Sequence, residues 1–399
     1  MSTTDPRGLQ TLAVHAGEGP DPTTRASAPN LVMSTTFVID PDIAFSAEEL
    51  EPDAPFVYTR WGNPTVRQLE EKLAALEAAE TCMAFASGMA AISALFTQLL
   101  RPGDHLIMSD VAYAGASELV NSIVPRSGVA VGRVDLSDLD ALRAELRPTT
   151  RLVYAETPAN PILRLTDIAA LARVVHEAGA LLAVDSTFAT PVATRPIELG
   201  ADFVVHSLTK YMGGHGDAVG GALLGAEGAL LDVRRGAGIH MGGVLSPFNA
   251  WLILRGVATL PVRMRAHAEG AQAVAEFLAG RPGVTKVLYP GLPSHHQYEL
   301  AQRQMRNPAG VISFQMEDGP ERARRLARDL QTVHYAVSLG HHRSLIVYLP
   351  TADLLKTSFR MSPGQEAAYR EYAGDGLFRL SVGLEDAADI IADLDRAFG

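Results

Sequence analysis

Two short apolar runs flanking a helix-patterned stretch restrict the fold of this chain more than any other feature. Arg151-Leu-Val-Tyr-Ala-Glu156 reads as a strand closed by a sharp turn at Thr157-Pro158-Ala159-Asn160-Pro161. Ile168, Leu171, Val174 and Val175 then recur at helical spacing behind a Thr166 cap, and the pattern stops at Gly179. Leu181-Leu-Ala-Val-Asp185 is apolar again. Strand, helix and strand at this separation predict a right-handed βαβ unit and a mainly parallel sheet. Such sheets bind ligands beyond the carboxyl ends of their strands, where Asn160 and Asp185 fall.

The next strand end carries the chemistry. In Asp202–Asp217, Phe203, Val204 and Val205 deliver Ser207, Thr209 and Lys210 into a turn that Gly213, Gly214 and Gly216 keep open. A lysine there loses hydration, so its amine loses its proton more readily and becomes available as nucleophile or base. Ser207 and Thr209 share a face by the strand period and suit a phosphate beside it. Taken alone, such a lysine is more often a snorkelling or ion-paired residue.

Other stretches carry weaker signals. Phe85-Ala-Ser-Gly-Met-Ala-Ala-Ile92 reads as strand end, glycine turn and helix start, so Ser87, Gly88 and Met89 present backbone N–H groups of the kind that bind phosphate. Asn63-Pro64 opens a helix with Val66, Leu69, Leu73 and Leu76 on one face. Tyr58 and Arg60, two apart, project to one side if that segment is extended. Tyr113 lies in a loop after the strand at His105–Met108, and Arg379 points away from Phe378 and Leu380 on a late strand. The pairs His295-His296 and His341-His342 diverge as sequence neighbours, so no metal is expected.

Composition excludes several classes. A formal net charge of −11 with no Lys/Arg run argues against a nucleic-acid or anionic-membrane surface. A single cysteine, Cys82, excludes an intrachain disulfide framework and fits a reducing compartment. Residues 1–20 hold no apolar signal core, and no segment reaches ~18 unbroken apolar residues, so a cytoplasmic protein is expected.

The spacing D-F-x-x-x-S-x-T-K-Y-M-x-G-H-G resembles the lysine signature of the Cys/Met-metabolism (trans-sulfuration) pyridoxal-phosphate enzymes, a family that includes cystathionine γ-synthases, cystathionine and methionine γ-lyases and O-acylhomoserine sulfhydrylases. The likeness runs from Tyr58 to about Asp386. It implies the aspartate-aminotransferase-like α/β fold (fold type I), with a smaller α+β C-terminal domain. Pyridoxal 5'-phosphate is the implied cofactor, with Lys210 as its Schiff-base lysine. Asp185 in D-S-T-F-A-T-P would meet the ring nitrogen, Tyr113 would stack on the ring and act as acid or base, and Asn160 would lie near the phenolic oxygen. Ser87, Gly88 and Met89 form the implied phosphate cup with Ser207 and Thr209. Tyr58 and Arg60, in Y-x-R-x-x-N-P-T, would reach the phosphate of an adjacent subunit. That implies a homo-oligomer with a shared site, a tetramer built as a dimer of dimers. Arg379, with Ser338 in the partnering loop, would hold the substrate α-carboxylate.

Three positions depart from the patterns of relatives: Gly115 and His240 stand where methionine γ-lyases carry cysteine and aspartate, and Val337 where cystathionine enzymes tend to have glutamate. The expected organisation is an arm at 1–57, a cofactor-binding domain at 58–255 and an α+β domain at 256–399. The expected reaction is γ-elimination from a γ-substituted amino acid to an α-keto acid and ammonia. A γ-replacement enzyme is the alternative, and a non-catalytic regulator that binds the cofactor is a remote third.

Overall fold

The computed structural model describes residues 6–43 and 45–399. Its first sheet has seven strands: β1 Thr81–Phe85, β2 His105–Ser109, β3 Ala130–Val134, β4 Thr150–Glu156, β5 Leu181–Asp185, β6 Phe203–Ser207 and β7 Gly221–Gly225, in the order β1-β7-β6-β5-β4-β2-β3. β2 to β6 pair in parallel, and β7 runs antiparallel to both of its neighbours. The predicted βαβ unit is β4, the helix Ile168–Glu177 and β5. Its cap differs from expectation: Asp167 accepts from the Ala170 amide at 3.0 Å, while the Thr166 amide donates to Thr157 Oγ1. The carboxylate, one residue closer to the first turn, is the better acceptor for an orphan amide.

A second sheet holds β8 Val284–Leu288, β9 Val311–Met316, β10 His334–Tyr335, β11 Leu345–Pro350 and β12 Gly376–Ser381, in the order β10-β11-β12-β9-β8. Phe314, Phe378, Leu380 and Leu394 are buried between this sheet and its helices. The helices Pro247–Ala258 and Leu260–Gly280 lead the chain from one sheet to the other. Among the described residues no helix is long and apolar enough to cross a membrane.

The arm is more ordered than its composition suggests. Helix α1, Leu9–His15, buries Leu12 and Ala13 against helix α2, Pro64–Glu77. Fully buried Lys72 donates to the carbonyls of Ala13 and Val14 at 2.9 and 3.0 Å and meets Glu18 at 2.5 Å, so one cation closes the C-terminal end of α1. Trp61 stacks on Phe45 at 4.6 Å and packs near Val57 and Ile239.

One side chain holds the glycine loop after β6. Arg263, buried on the helix Leu260–Gly280, donates to the carbonyls of Tyr211, Met212 and Gly256 at 2.8, 3.2 and 2.7 Å. Gly214, at φ +71°, admits it: a Cβ there would lie 2.1 Å from an Arg263 nitrogen. Replacing Arg263 by Met leaves the Tyr211 and Met212 carbonyls without a donor, while Gly256 keeps its bonds from Thr259, and is expected to cost about 2–4 kcal/mol. Urea midpoints at matched protein concentration check this, with Arg263→Lys recovering part of the loss.

Candidate active site

The strands β4, β5 and β6 end side by side, and each brings one titratable group to the same edge. Lys210 follows β6 by three residues, in a turn closed by its amide on the Ser207 carbonyl at 3.2 Å. Its Nζ lies 2.8 Å from Ser338 Oγ, in the loop between β10 and β11. Burial, and secondarily the nearby Arg379 charge, pulls the lysine pKa down to about 8.

Asp185 closes β5 and is 6% exposed. Its two oxygens accept from Tyr154 Oη and the Thr187 amide, each at 3.0 Å. Burial raises its pKa, opposed by the bonds from Thr187, the nearby His206 and Tyr154. Thr187 Oγ1 accepts from the Ser207 amide at 2.9 Å, tying the aspartate's turn to the lysine strand.

Glu156, at the end of β4, is a member of the site that sequence reasoning did not single out. Its carboxylate accepts from the Tyr113 amide at 2.7 Å and from the Asn160 amide at 2.8 Å. Burial, then Asp185, pushes its pKa up to about 8, against those two donors and Arg379. One buried acid thus sets the backbone of both Tyr113 and Asn160. A glutamate ending a strand gives no sequence signal of this kind, because both its donors are backbone amides.

Asn160 in turn accepts from Arg379 Nη1 at 2.8 Å, while Arg379 Nη2 donates to the Ser338 carbonyl at 3.2 Å. Arg379 is 9% exposed, and its Nε is buried without a partner, a donor left over for a further acceptor. Ser338 adopts φ +93°, a conformation rare for a side chain bearing a Cβ. Tyr113 stands 46% exposed at the start of helix α4, Ala114–Ser122. Its ring fills the space beside Gly115, where a Cβ would lie 2.7 Å from it.

The glycine turn presents the free N–H groups of a helix start. Ser87 caps helix α3, Gly88–Leu99, accepting from the Ala90 amide at 3.1 Å, so the first N–H groups of the helix face outward at Gly88 and Met89. A Cβ on Gly88 would lie 3.2 Å from Ser207 Cβ, so this helix start abuts the end of the lysine strand. The Thr209 hydroxyl is engaged by Gly220, donating to its carbonyl at 3.2 Å and accepting from its amide at 3.1 Å. Tyr58 and Arg60 occupy a turn rather than an extended segment, with the guanidinium 5.5 Å from the tyrosine ring centroid. Arg60 donates to the Ile239 carbonyl at 2.8 Å, and among the described residues neither side chain is hydrogen-bonded to Lys210, Asp185 or Ser87. His295 turns inward to the Leu163 carbonyl at 3.2 Å, whereas His296 meets Tyr372 Oη.

The donors and acceptors fit pyridoxal phosphate. A deprotonatable amine, a buried carboxylate for a cationic ring nitrogen and an anion-binding helix start converge at the strand ends of an open, mixed α/β sheet. That combination defines the class, the fold-type-I pyridoxal-phosphate enzymes.

A family model for the Cys/Met metabolism PLP-dependent enzymes matches residues 10–399, and the chain belongs to that family. It is 43% identical over 396 residues to a cystathionine gamma-synthase of Mycobacterium tuberculosis, covering 98% of this chain and 97% of the relative. It is 41% identical over 393 residues to an L-methionine gamma-lyase of Pseudomonas putida, again covering 98% and 97%. The crystal structure of metB from Corynebacterium glutamicum superposes with a TM-score of 0.87 at 37% identity, over 98% of each chain. The chain is accordingly a pyridoxal-phosphate-dependent γ-lyase or γ-synthase of amino-acid metabolism.

Because Lys210 sits at about 8, about a tenth of it is unprotonated at pH 7. Acylation of Lys210 in cofactor-free protein should therefore rise about tenfold per pH unit up to pH 8 and level above it, whereas a free lysine continues to rise beyond pH 10. Mass spectrometry of the Lys210 peptide after short reagent pulses reads this directly.

Proposed function

We propose that the chain is a γ-lyase that acts on a γ-substituted, sulfur-containing amino acid and releases an α-keto acid and ammonia. The observation carrying this reading is Val337. It stands 72% exposed beside Ser338 and presents an apolar surface, with no charge to pair with an amino-acid group at the far end of a substrate.

Pyridoxal phosphate, when bound, supplies the electron sink that makes the Cα and Cβ protons of an amino acid removable. The Gly88 and Met89 amides with Ser87 and Ser207 would hold its phosphate, Asp185 its ring nitrogen and Tyr113 its ring face. Asn160 Oδ1 is taken by Arg379, which leaves the amide NH2 to donate to the phenolic oxygen. Thr209 shapes the turn through Gly220 and stands beside the phosphate.

Arg379 Nε receives the substrate α-carboxylate, with Ser338 setting the guanidinium plane. Lys210 then takes the Cα proton at Nζ, helped by the pKa that burial gives it. The same amine moves a proton from Cβ, and the Tyr113 phenol protonates the sulfur as the Cγ–S bond breaks. Water completes the balance: one thiol, one α-keto acid and one ammonium leave per substrate. Tyr58 and Arg60 serve the phosphate of a second copy, so the working unit is at least a dimer, built further into a tetramer. The buried, unpaired Cys82 supports a cytoplasmic setting.

A second reading, γ-replacement, is favoured by the 43% identity to a cystathionine gamma-synthase and by the exposure of Tyr113 at the site mouth. Two measurements test these readings. Methionine, cystathionine, homocysteine, canavanine and O-acylhomoserine are offered singly, and α-ketobutyrate is assayed with and without added thiol. Keto acid without thiol is the expected result, while product formed only with thiol would establish replacement. Lys210→Ala should lower turnover on the best substrate by on the order of 10³-fold or more. Separately, Arg379→Gln should raise KM about 100-fold or more through loss of the carboxylate's charge partner, read from initial rates across substrate concentration.

A further inference from the structure

Beyond Ser338 the lysine has a second neighbour. Ser338 Oγ lies 2.8 Å from Lys210 Nζ and 3.3 Å from His341 Nε2, so amine, hydroxyl and imidazole form one chain of polar atoms. The backbone around the histidine is pinned on both sides. Gly340 donates to Ser381 Oγ at 2.8 Å, the His342 amide donates to the Gly214 carbonyl at 2.9 Å, and the His342 carbonyl accepts from Leu384 at 2.8 Å. The His341 ring lies against Gly216, where any Cβ would come within 2.8 Å of it.

A hydroxyl between an amine and an imidazole has one proton to place. If Nε2 of a neutral imidazole accepts that proton, the oxygen lone pairs are turned toward the lysine. We propose that His341 is a positioning residue that acts through Ser338, orienting its hydroxyl so that the oxygen faces the Lys210 amine. The assignment rests on the reading of Lys210 as the acting amine, yet its test uses no turnover.

The surroundings keep the imidazole neutral. Burial first, then the charges of Lys210, His342 and Arg343, lower the His341 pKa against the pull of Asp217. His215 meets the His342 ring at 5.8 Å on the same side of the loop. These surroundings favour the neutral imidazole, and the oriented serine oxygen favours the ammonium form of Lys210. Losing the histidine removes that support and lowers the lysine's proton affinity further.

The experiment follows Lys210 acylation in cofactor-free protein from pH 6 to 10, with the peptides bearing exposed Lys286 and Lys356 as internal references. In His341→Phe, which keeps a ring against Gly216 but cannot accept the serine proton, the Lys210 midpoint should fall by about half a unit, with modification at pH 7 about threefold faster. Ser338→Ala should shift it the same way, and the double variant should add nothing to the larger single shift. His341→Gln, whose amide oxygen accepts a hydrogen bond, should restore the midpoint toward wild type. A His341→Phe midpoint within about 0.1 unit of wild type, or single shifts that sum in the double variant, overturns the proposal. Turnover surviving Lys210→Ala would overturn the lysine's role while leaving this coupling measurable.

Discussion

Keeping an amine at the end of a buried strand is unfavourable for its charged form, and the rest of the site is arranged around that desolvation. Arg379, itself buried, adds a second positive charge that pushes the amine in the same direction. The neighbouring acids are themselves disfavoured as anions: burial raises both Glu156, which faces the guanidinium, and Asp185, one strand over. In a low-dielectric pocket such charges are tolerable only when each is hydrogen-bonded. Asp185 has Tyr154 and Thr187, Glu156 has two backbone amides, and Arg379 has Asn160 and a carbonyl. The same bonds that satisfy these groups therefore fix their positions relative to one another.

Much of this was legible in the sequence because it follows from local pattern. The apolar runs at β4, β5 and β6 and the helix between the first two are set by side-chain period, and strand polarity then puts Asn160, Asp185 and Lys210 at one edge. What escaped has no local pattern. β7 is a five-residue, glycine-bounded run, and its antiparallel direction depends on one partner strand 14 to 22 residues away and another more than 100 residues away. The helix α1 is seven residues long and is stable only because α2 and Lys72 receive it, so propensity alone could not reveal it. Glu156 was passed over for a similar reason: its function lies in which amides it receives.

Close approach explains the glycines better than flexibility does. Gly214 yields to Arg263, Gly216 to His341 and Gly115 to the Tyr113 ring, so in each case the missing side chain is the space that a functional group uses. The first two are contacts between distant elements and the third is local, and sequence shows only the vacancy. At Gly115 the vacancy is also a departure from the methionine γ-lyase pattern. It lets the tyrosine fold back over the start of its own helix.

The bond from Lys210 to Ser338 also joins two sheets. The lysine is carried by the seven-stranded sheet, whereas Ser338 and Arg379 are carried by the loops and strands of the five-stranded one. A relative slide of about 1 Å between them would stretch the 2.8 Å contact beyond hydrogen-bonding range. The Lys210 amine is thus an alignment gauge for the two sheets. Any movement of Arg379 is carried to Ser338 through the bond from Nη2 to its carbonyl, so the placement of one sheet is registered mechanically at a single atom carried by the other.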